Sequence, residues 1–263
     1  MKTKLLGVIF AGLLAPITAF AAGGGVELEK ANIDVHNKAS LQRGAKYFAN
    51  YCQGCHSLKF SRYNRVAKDL GLTEEQVKEN LIFTRGEDGE PSKVGDLMVN
   101  AISQKNAAEW FGAPPPDLSL VGRSRSGDWI YSYLNAFYLD PSRPMGVNNT
   151  VFPNVGMPHV LGELQGWKAM QTAEAGEHDK QDGEAHAEDD AHHGEPQLVM
   201  VKKGTMSEAE YEQMILDLTN YLVYVSEPAQ LHRKTYGVYV LLFLALLFVF
   251  SYFLKKEYWK DIH

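Results

Sequence analysis

The residues best suited to chemistry lie in the stretch YCQGCHSLKF, residues 51–60. It holds both cysteines of the chain, Cys52 and Cys55, and His56 follows directly. Two cysteines at this spacing can form a redox disulfide, supply half of a metal site, or tether a haem. A thioredoxin-type redox pair needs a βαβ setting, and no strand pattern leads into Cys52. A zinc site needs a second pair of ligands, and the sequence has no further cysteine.

The full pattern Cys-x-x-Cys-His is typical of haem c attachment. The thiols of Cys52 and Cys55 can add to the two vinyl groups at one edge of the porphyrin, and His56 can then reach the iron from one face. Two free thiols outside the cytoplasm would tend to oxidise, which also favours the haem. We therefore predict one covalently bound haem c, with His56 as an axial ligand of the iron.

The second axial ligand decides what such a haem can do. An open position suits gas binding or catalysis, whereas a methionine thioether paired with histidine raises the potential and suits electron transfer. Met157 is favoured, because Gly156 lets the backbone approach the haem and Pro158 stiffens the loop. The other methionines downstream are Met98, Met145, Met170, Met200, Met206 and Met214, and the last of these fits the apolar face of a helix.

Both ends of the chain carry long apolar segments. Two lysines, an apolar run and small residues near position 20 predict a secretory signal peptide over 1–21. Residues 236–254 hold no charge over 19 positions, or about 28 Å of helix, which predicts a transmembrane helix. We expect an exported haem domain over 22–235 and a cytoplasmic tail over 255–263. The protein would be single-pass in a bacterial inner membrane, with its haem domain in the periplasm.

Charge narrows the possible partners. The formal net charge is −6, and loss of Lys2 and Lys4 with a signal peptide would make it −8. This balance argues against a nucleic-acid partner. Residues 174–196 contain nine acidic residues, one lysine and four histidines, with no large apolar residue. We interpret them as a mobile, solvated insert; a docking patch for a basic cytochrome c or a weak metal-binding tract are the alternatives.

Hydrophobic periodicity predicts a mainly α-helical domain with long loops and few strands. Ser40 is expected to cap a helix that runs to about Cys52, with Leu41, Ala45 and Phe48 on its buried face. Capping boxes at Thr73–Gln76 and Ser207–Glu210 predict two more helices, ending near Phe83 and Ser226. Further helices are expected at 95–111 and 127–137, and loops at 84–97 and 139–166.

Four segments together resemble the cytochrome c1 family, the haem c subunit of the cytochrome bc1 complex. Their order along the chain and the single C-terminal anchor also match, and the resemblance covers nearly all of the chain after the signal peptide. The Pro-Pro-Asp-Leu-Ser sequence and the Ser-Glu-Pro before the anchor are more specific than Cys-x-x-Cys-His. The segments are LQRGAKYFANYCQGCHSL (41–58), PPPDLSLVGRSRSGDWIYSYL (114–134), FPNVGMPHVL (152–161) and NYLVYVSEPAQLHRKTYG (220–237).

This resemblance implies a cytochrome c fold, covalent haem on Cys52 and Cys55, and His56 and Met157 as axial ligands. It also implies residues around the haem edge. An arginine pairs with a haem propionate in the family, and Arg125 aligns best with it. Trp129 stands where the family usually has a tyrosine near the propionates, and the two prolines of the haem edge would be Pro115 and Pro116. His159 replaces a proline that often follows Met-Pro in the family, and it is a rival ligand.

The function implied is electron transfer. The chain would accept an electron from the Rieske iron–sulfur protein and pass it to cytochrome c, with its anchor against cytochrome b in a dimeric complex. By itself it would be an electron carrier, with no catalytic residue, and the complex would be a quinol–cytochrome c oxidoreductase. One alternative is an independent anchored cytochrome that feeds a terminal oxidase or reductase. Others are a haem sensor or enzyme with an open axial site, and a non-haem metal protein that uses the histidine-rich insert.

Overall fold

The computed structural model describes residues 26–86, 89–171 and 197–260. The predicted signal peptide and the predicted acidic insert lie outside these residues, as do the last three residues of the chain.

The described residues form nine α-helices, one π-helical segment and six β-strands. Helices dominate, as the sequence predicted. The helices are α1 (Lys38–Tyr47), α2 (Tyr63–Leu70), α3 (Glu74–Asn80), α4 (Gln104–Phe111), α5 (Val121–Ser124), α6 (Gly127–Asn135), α7 (Gly162–Gln165), α8 (Glu208–Ser226) and α9 (Gln230–Tyr258). The strands are β1 (Leu58–Arg62), β2 (Leu97–Met98), β3 (Phe137–Leu139), β4 (Val147–Asn149), β5 (Gly166–Met170) and β6 (Leu198–Lys203), and the π-helical segment is Phe48–Cys52.

Helix α1 leads the chain to the cysteine pair. The predicted cap at Ser40 is wrong: Asn37 is the cap, and its side chain accepts a hydrogen bond from the Ser40 amide. The α-helix also ends at Tyr47, and the following turn is π-helical, with wider spacing of its hydrogen bonds. The predicted apolar face is confirmed, because Leu41, Ala45, Phe48 and Cys52 are all buried.

Helix α8 is the central support of the domain and matches its predicted boundaries. Ser207 and Glu210 form the expected capping box. Most of the helix is buried, and α1, α5 and α6 pack against it. Gly44 of α1 lies so close to the backbone of Asp217 that a Cβ atom there would overlap its carbonyl group. Glycine at this position therefore lets α1 and α8 come into close contact.

An ion pair between a half-exposed arginine and a buried aspartate joins the same two helices. The Asp217 carboxylate is 1% exposed and accepts hydrogen bonds from Arg43 Nε at 2.6 Å and Nη2 at 2.9 Å. Ser40 Oγ donates to it at 2.7 Å. The hydrogen bond between Arg43 and Asp217 is the main cause that raises the pKa of the Arg43 guanidinium. The two bonds from Arg43 and the bond from Ser40 supply the buried carboxylate with the hydrogen-bond donors that it needs.

Two other predicted helices each differ from the prediction at one terminus. The capping box of Thr73 and Gln76 is confirmed, but α3 ends at Asn80, before Phe83. The helix predicted at 95–111 begins only at Gln104, with Ser103 as its cap. Leu97–Met98 instead form β2, antiparallel to β1, because Met98 is fully buried in the core and its sulfur meets the Tyr221 hydroxyl.

The sheet near the later loops was underestimated from the sequence. Its strand order is β4-β3-β5-β6, with β3 and β5 parallel and the other pairs antiparallel. The helix predicted at 127–137 therefore stops at Asn135, and Phe137 begins β3. Strand β4 and helix α7 lie within the loop predicted at 139–166. These strands have only three to six residues each, too few for a clear alternating pattern.

Helix α9 contains the whole predicted span of residues 236–254 and extends beyond it at both ends. Its most apolar 18-residue window has a mean hydropathy of 2.5, and none of that window is buried within the protein. A long, apolar helix with no protein covering it is long enough to cross a bilayer. Lys255 and Lys256 lie in its last turn, as the charges flanking a membrane span would.

Candidate functional site

A cavity of about 590 Å³ lies between the cysteine pair, the proline segment and the Met157 loop. That volume is in the usual range for cofactor sites, and the side chains around it are mostly apolar. The residues predicted to form the site all line this one cavity, although they come from four separate stretches of chain. They are Cys52, Cys55, His56, Pro115, Pro116, Arg125, Trp129 and Met157.

The cysteines lie on the turn that follows α1. Cys52 is buried in the π-helical segment and Cys55 is exposed, and their sulfurs are not bonded to each other. Burial raises the pKa of the Cys52 thiol to about 12. The amides of Cys55 and His56 both donate to the Cys52 carbonyl, at 3.1 and 2.8 Å. Asn100, which follows β2, donates from Nδ2 to the Cys55 carbonyl at 2.5 Å. The turn is therefore held by bonds within it and by one bond from this neighbouring segment.

The imidazole of His56 lines the cavity, and one of its nitrogens is held by a hydrogen bond. Its Nδ1 lies 2.8 Å from the Pro116 carbonyl, and the ring is 9% exposed. Burial lowers the pKa of His56, so the neutral ring is favoured. Since a carbonyl can only accept, Nδ1 carries the proton and Nε2 keeps its lone pair for a metal.

The segment that supplies Pro116 is anchored by the next residue. Asp117 accepts hydrogen bonds from the amides of Lys59 at 2.9 Å and Ser119 at 3.0 Å. The Leu118 amide donates to the Ser57 carbonyl at 2.9 Å. The proline segment is thereby held against the chain that follows His56, and the Pro116 carbonyl is fixed where it orients the imidazole.

Met157 lies at the end of a loop that begins in β4. Its sulfur accepts a hydrogen bond from the Tyr133 hydroxyl at 3.3 Å. The side chain is half-buried and packs against the small cluster formed by Phe137, Val147 and Val155. Of the methionines in the described residues, Met157 alone lines the cavity.

Two adjacent asparagines hold this loop. Asn149 Oδ1 accepts from the amides of Val151 and Phe152, both at 3.0 Å, and its Nδ2 donates to the Tyr133 carbonyl at 2.8 Å. Asn148 Oδ1 accepts from the Asn154 amide at 2.8 Å. Asn154 adopts a left-handed conformation with φ of 63°, which asparagine tolerates better than most residues. These bonds connect the path to Met157 with helix α6.

The other candidate ligands lie elsewhere. Met98 and Met214 are buried in the main core, and Met145 is 40% exposed. His159 does not line the cavity. Its ring stacks on Phe137 at 4.8 Å and meets the edge of Trp167 at 5.6 Å. Burial lowers the pKa of His159 to about 4, so it is a neutral ring within an aromatic cluster.

Arg125 and Trp129 meet at the edge of the cavity. The guanidinium lies 5.2 Å from the centre of the Trp129 ring, within the range of a cation–π contact. Trp129 in turn stacks on Tyr133, with ring centres 4.9 Å apart and planes 10° from parallel. Arg125 is exposed and has no ion pair among the described residues, so its charge is available to an anionic group.

Sequence reasoning missed three kinds of residue here. Tyr133 and Phe152 line the cavity beside Trp129, and Leu218 and Leu222 of α8 complete it. A signal for Tyr133 was present: it follows Trp129 by four residues, which places both on one face of a helix. Asn149 carried no such signal, because its partners are set by the tertiary fold.

Comparison with known proteins identifies the family. The sequence model of the family described as "Cytochrome C1 family" matches residues 29–262. The chain belongs to the cytochrome c1 family. It is 52% identical to cytochrome c1 of Allochromatium vinosum over 95% of this chain and 96% of that protein. It is 43% identical to a protein of Nitrosomonas europaea named ammonia monooxygenase gamma subunit, over 97% of both chains. It is 28% identical to cytochrome c1 of Rhodospirillum rubrum, over 97% and 96% of the two chains.

Cytochrome c1 is the haem subunit of the bc1 complex and serves electron transport. The cavity of this chain fits a haem. Its lining is mostly apolar, two thiols lie on one turn, and a neutral imidazole offers Nε2. A thioether sulfur lines the same space. Sulfur and imidazole donors in an apolar cavity are the ligand chemistry that c-type haem uses.

Proposed function

We propose that the chain is the electron-transfer subunit of a cytochrome bc1 complex. It accepts an electron from the Rieske iron–sulfur protein on one covalent haem c and passes it to cytochrome c. The observation that carries the proposal is the meeting of Cys52, Cys55, His56 and Met157 around one cavity. Cytochrome c1 membership supplies the wider context.

In this proposal Cys52 and Cys55 hold the haem through thioether bonds, and His56 and Met157 bind its iron. When bound, the haem supplies a reversible one-electron change. The Pro116 carbonyl keeps His56 Nε2 directed at the metal, because it fixes the proton on Nδ1. Pro115 and Pro116 line the cavity and would shield part of the haem from water. If His56 and Met157 both bind the iron, the chain would leave no site for a small ligand.

The propionates of the haem need a cationic partner. We assign that role to Arg125, because its charge lies at the cavity edge and no carboxylate of the described residues pairs with it. Trp129 lies against the guanidinium and limits its motion. An indole has no hydroxyl, so Trp129 acts here through packing and its N–H rather than as a phenol donor.

The surroundings follow from the anchor. We propose that residues 1–21 are a signal peptide, that residues 22–235 are exported to the periplasm, and that α9 crosses the inner membrane beside cytochrome b. The tail after 254 would then lie in the cytoplasm. We also propose a dimeric complex. An apolar helix with no covering protein supports the membrane location, and the net charge of −6 supports attraction of a basic cytochrome c.

Purification of the native membrane complex tests the proposal. Cytochrome b and an iron–sulfur protein should co-purify with this chain, and quinol should reduce its haem at a rate that an inhibitor of quinol oxidation abolishes. Haem staining after denaturation should remain on a band of this chain's mass. Isolation of the chain alone, with a haem that quinol cannot reduce in the membrane, would contradict it.

One relative suggests a second candidate. The Nitrosomonas protein carries the name of an ammonia monooxygenase subunit, so a role in another oxidoreductase complex is the competing function. The same purification separates the two, because the competing role predicts monooxygenase subunits rather than an iron–sulfur protein among the partners.

A further inference from the structure

The sulfur of Met157 has a neighbour that the proposed function does not use. The Tyr133 hydroxyl donates to Met157 Sδ across 3.3 Å. A thioether sulfur has two lone pairs. If one of them binds iron, the other remains able to accept this hydrogen bond.

The position of the Tyr133 ring is fixed from several sides. Trp129 stacks on one face at 4.9 Å, and the edge contact with Phe137 has ring centres 5.2 Å apart. Asn149 holds the backbone carbonyl of Tyr133 at 2.8 Å. A donor whose ring and backbone are both held keeps its geometry without a further loss of conformational freedom.

The Tyr133 hydroxyl is the donor in this hydrogen bond. A phenylalanine would make the same stacking contacts, so packing alone does not explain the hydroxyl. A hydroxyl removed from water is costly unless it has a partner, and here the partner is the sulfur of Met157.

We propose that Tyr133 is a positioning residue that raises the reduction potential of the haem by hydrogen bonding to Met157 Sδ. The bond withdraws electron density from the sulfur. Oxidised iron depends on that density more than reduced iron does, so the reduced state gains relative stability. The inference deepens the proposed function and depends on Met157 as an axial ligand.

The first test replaces Tyr133 by phenylalanine in the full-length, haem-loaded protein. The midpoint potential should fall, equivalent to a decrease of roughly two- to tenfold in the equilibrium constant for accepting an electron, since one hydrogen bond is involved. The near-infrared band that reports sulfur bound to ferric iron should remain. Tyr131→Phe is the matched control, because residue 131 lies on the same helix, about 200° away around its axis, and does not line the cavity.

A second variant reverses the sign of the change. A fluorinated tyrosine at position 133 has a more acidic hydroxyl and is a stronger donor, so the potential should rise above that of the wild type. Equal potentials in the wild type, Tyr133→Phe and the fluorotyrosine protein, with the band intact, would refute the tuning role alone. Loss of the band in Tyr133→Phe would also refute it, because the hydroxyl would then hold the ligand in place. Absence of the band from the wild type would refute Met157 ligation as well.

Discussion

Two walls of the haem cavity are built in different ways. We call residues 52–56 and 115–117 the histidine wall, and residues 148–157 with Tyr133 the methionine wall. Each contains residues that line the cavity and residues that hold them in place. His56 follows Cys55 directly, and its turn is closed by hydrogen bonds within the motif. Met157 comes a hundred residues later and depends on two asparagines and an aromatic stack.

The difference shows where ligand geometry is secured. A covalent tether beside His56 would hold the imidazole near the iron even if the surrounding contacts weakened. Met157 has no tether, so its approach relies on contacts between segments distant in sequence, whose closure costs chain entropy. We therefore expect the methionine wall to be the more sensitive of the two to side-chain changes away from the ligands.

The largest expected effect separates the two proposed ligands, His56 and Met157. Met157→Leu should retain the covalent haem but open one axial position, so the reduced protein should bind carbon monoxide and lose the near-infrared band. His56→Leu should greatly reduce the amount of haem protein, because the proposed ligand next to the cysteines would be lost. Haem staining and carbon monoxide difference spectra measure both.

Met145→Leu is the control for that experiment. Met145 lies in the same part of the chain, is 40% exposed and does not line the cavity, so its spectrum should match the wild type. An unchanged near-infrared band in Met157→Leu would show that another residue binds the iron.

The next effect tests the support of the methionine wall. Asn149 is 1% exposed and bonds to two loop amides and the Tyr133 carbonyl. Asn149→Ala leaves the two amides without this partner and removes one of the two hydrogen bonds to the Tyr133 carbonyl, which the Ala136 amide also reaches at 3.3 Å. It should lower the free energy of unfolding by roughly 2–4 kcal/mol. On heating, the near-infrared band should also be lost at a lower temperature than in the wild type. Denaturant unfolding measures the first effect, and Asn106→Ala, at an exposed asparagine of α4, should be close to neutral.

The support of the histidine wall is tested farther from the cavity. Gly44→Ala places a methyl group against the backbone of Asp217, which should separate α1 from α8 and cost about 1–3 kcal/mol. Gly95→Ala is matched to it, since a Cβ there meets nothing within 4 Å. Thermal unfolding compares the two. If the thermal unfolding midpoint of Gly44→Ala equals that of the wild type, α1 and α8 can adjust to the methyl group without a loss of stability.

The smallest effect concerns the exposed bond of the cysteine turn. Asn100 Nδ2 donates to the Cys55 carbonyl at 2.5 Å in a solvent-exposed position. Asn100→Ala should cost no more than about 1 kcal/mol, because water can replace the donor. The comparison of the two walls fails if Asn100→Ala destabilises the protein as much as Asn149→Ala does.

Sequence reasoning performed best where the determinants were local. The capping boxes at Thr73 and Ser207 are present as predicted. The apolar face of α1 needed only helical spacing. Of the site residues, Cys52, Cys55 and His56 are recognisable from one motif.

It performed worst where tertiary contacts decide the local structure. Leu97–Met98 lie in a strand because Met98 enters the core, not because of their own propensity. Ser40 has the chemistry of a cap, but its hydroxyl bonds to Asp217 in the distant helix α8. The role of Asn149 depends on the end of α6, which its neighbours in sequence do not reveal.

The short joint between α8 and α9 has a consequence for how electrons move. Only three residues separate Ser226 from Gln230, and Glu227 accepts hydrogen bonds from Arg233 Nη1 at 2.8 Å and Gln230 Nε2 at 3.1 Å. Leu222, which lines the cavity, precedes α9 by only eight residues, three of which form the joint between the two helices. With α9 in a bilayer, the distance between the haem and the membrane surface would stay nearly constant. Shuttling between donor and acceptor would then be the task of mobile partners, while this subunit stays in place.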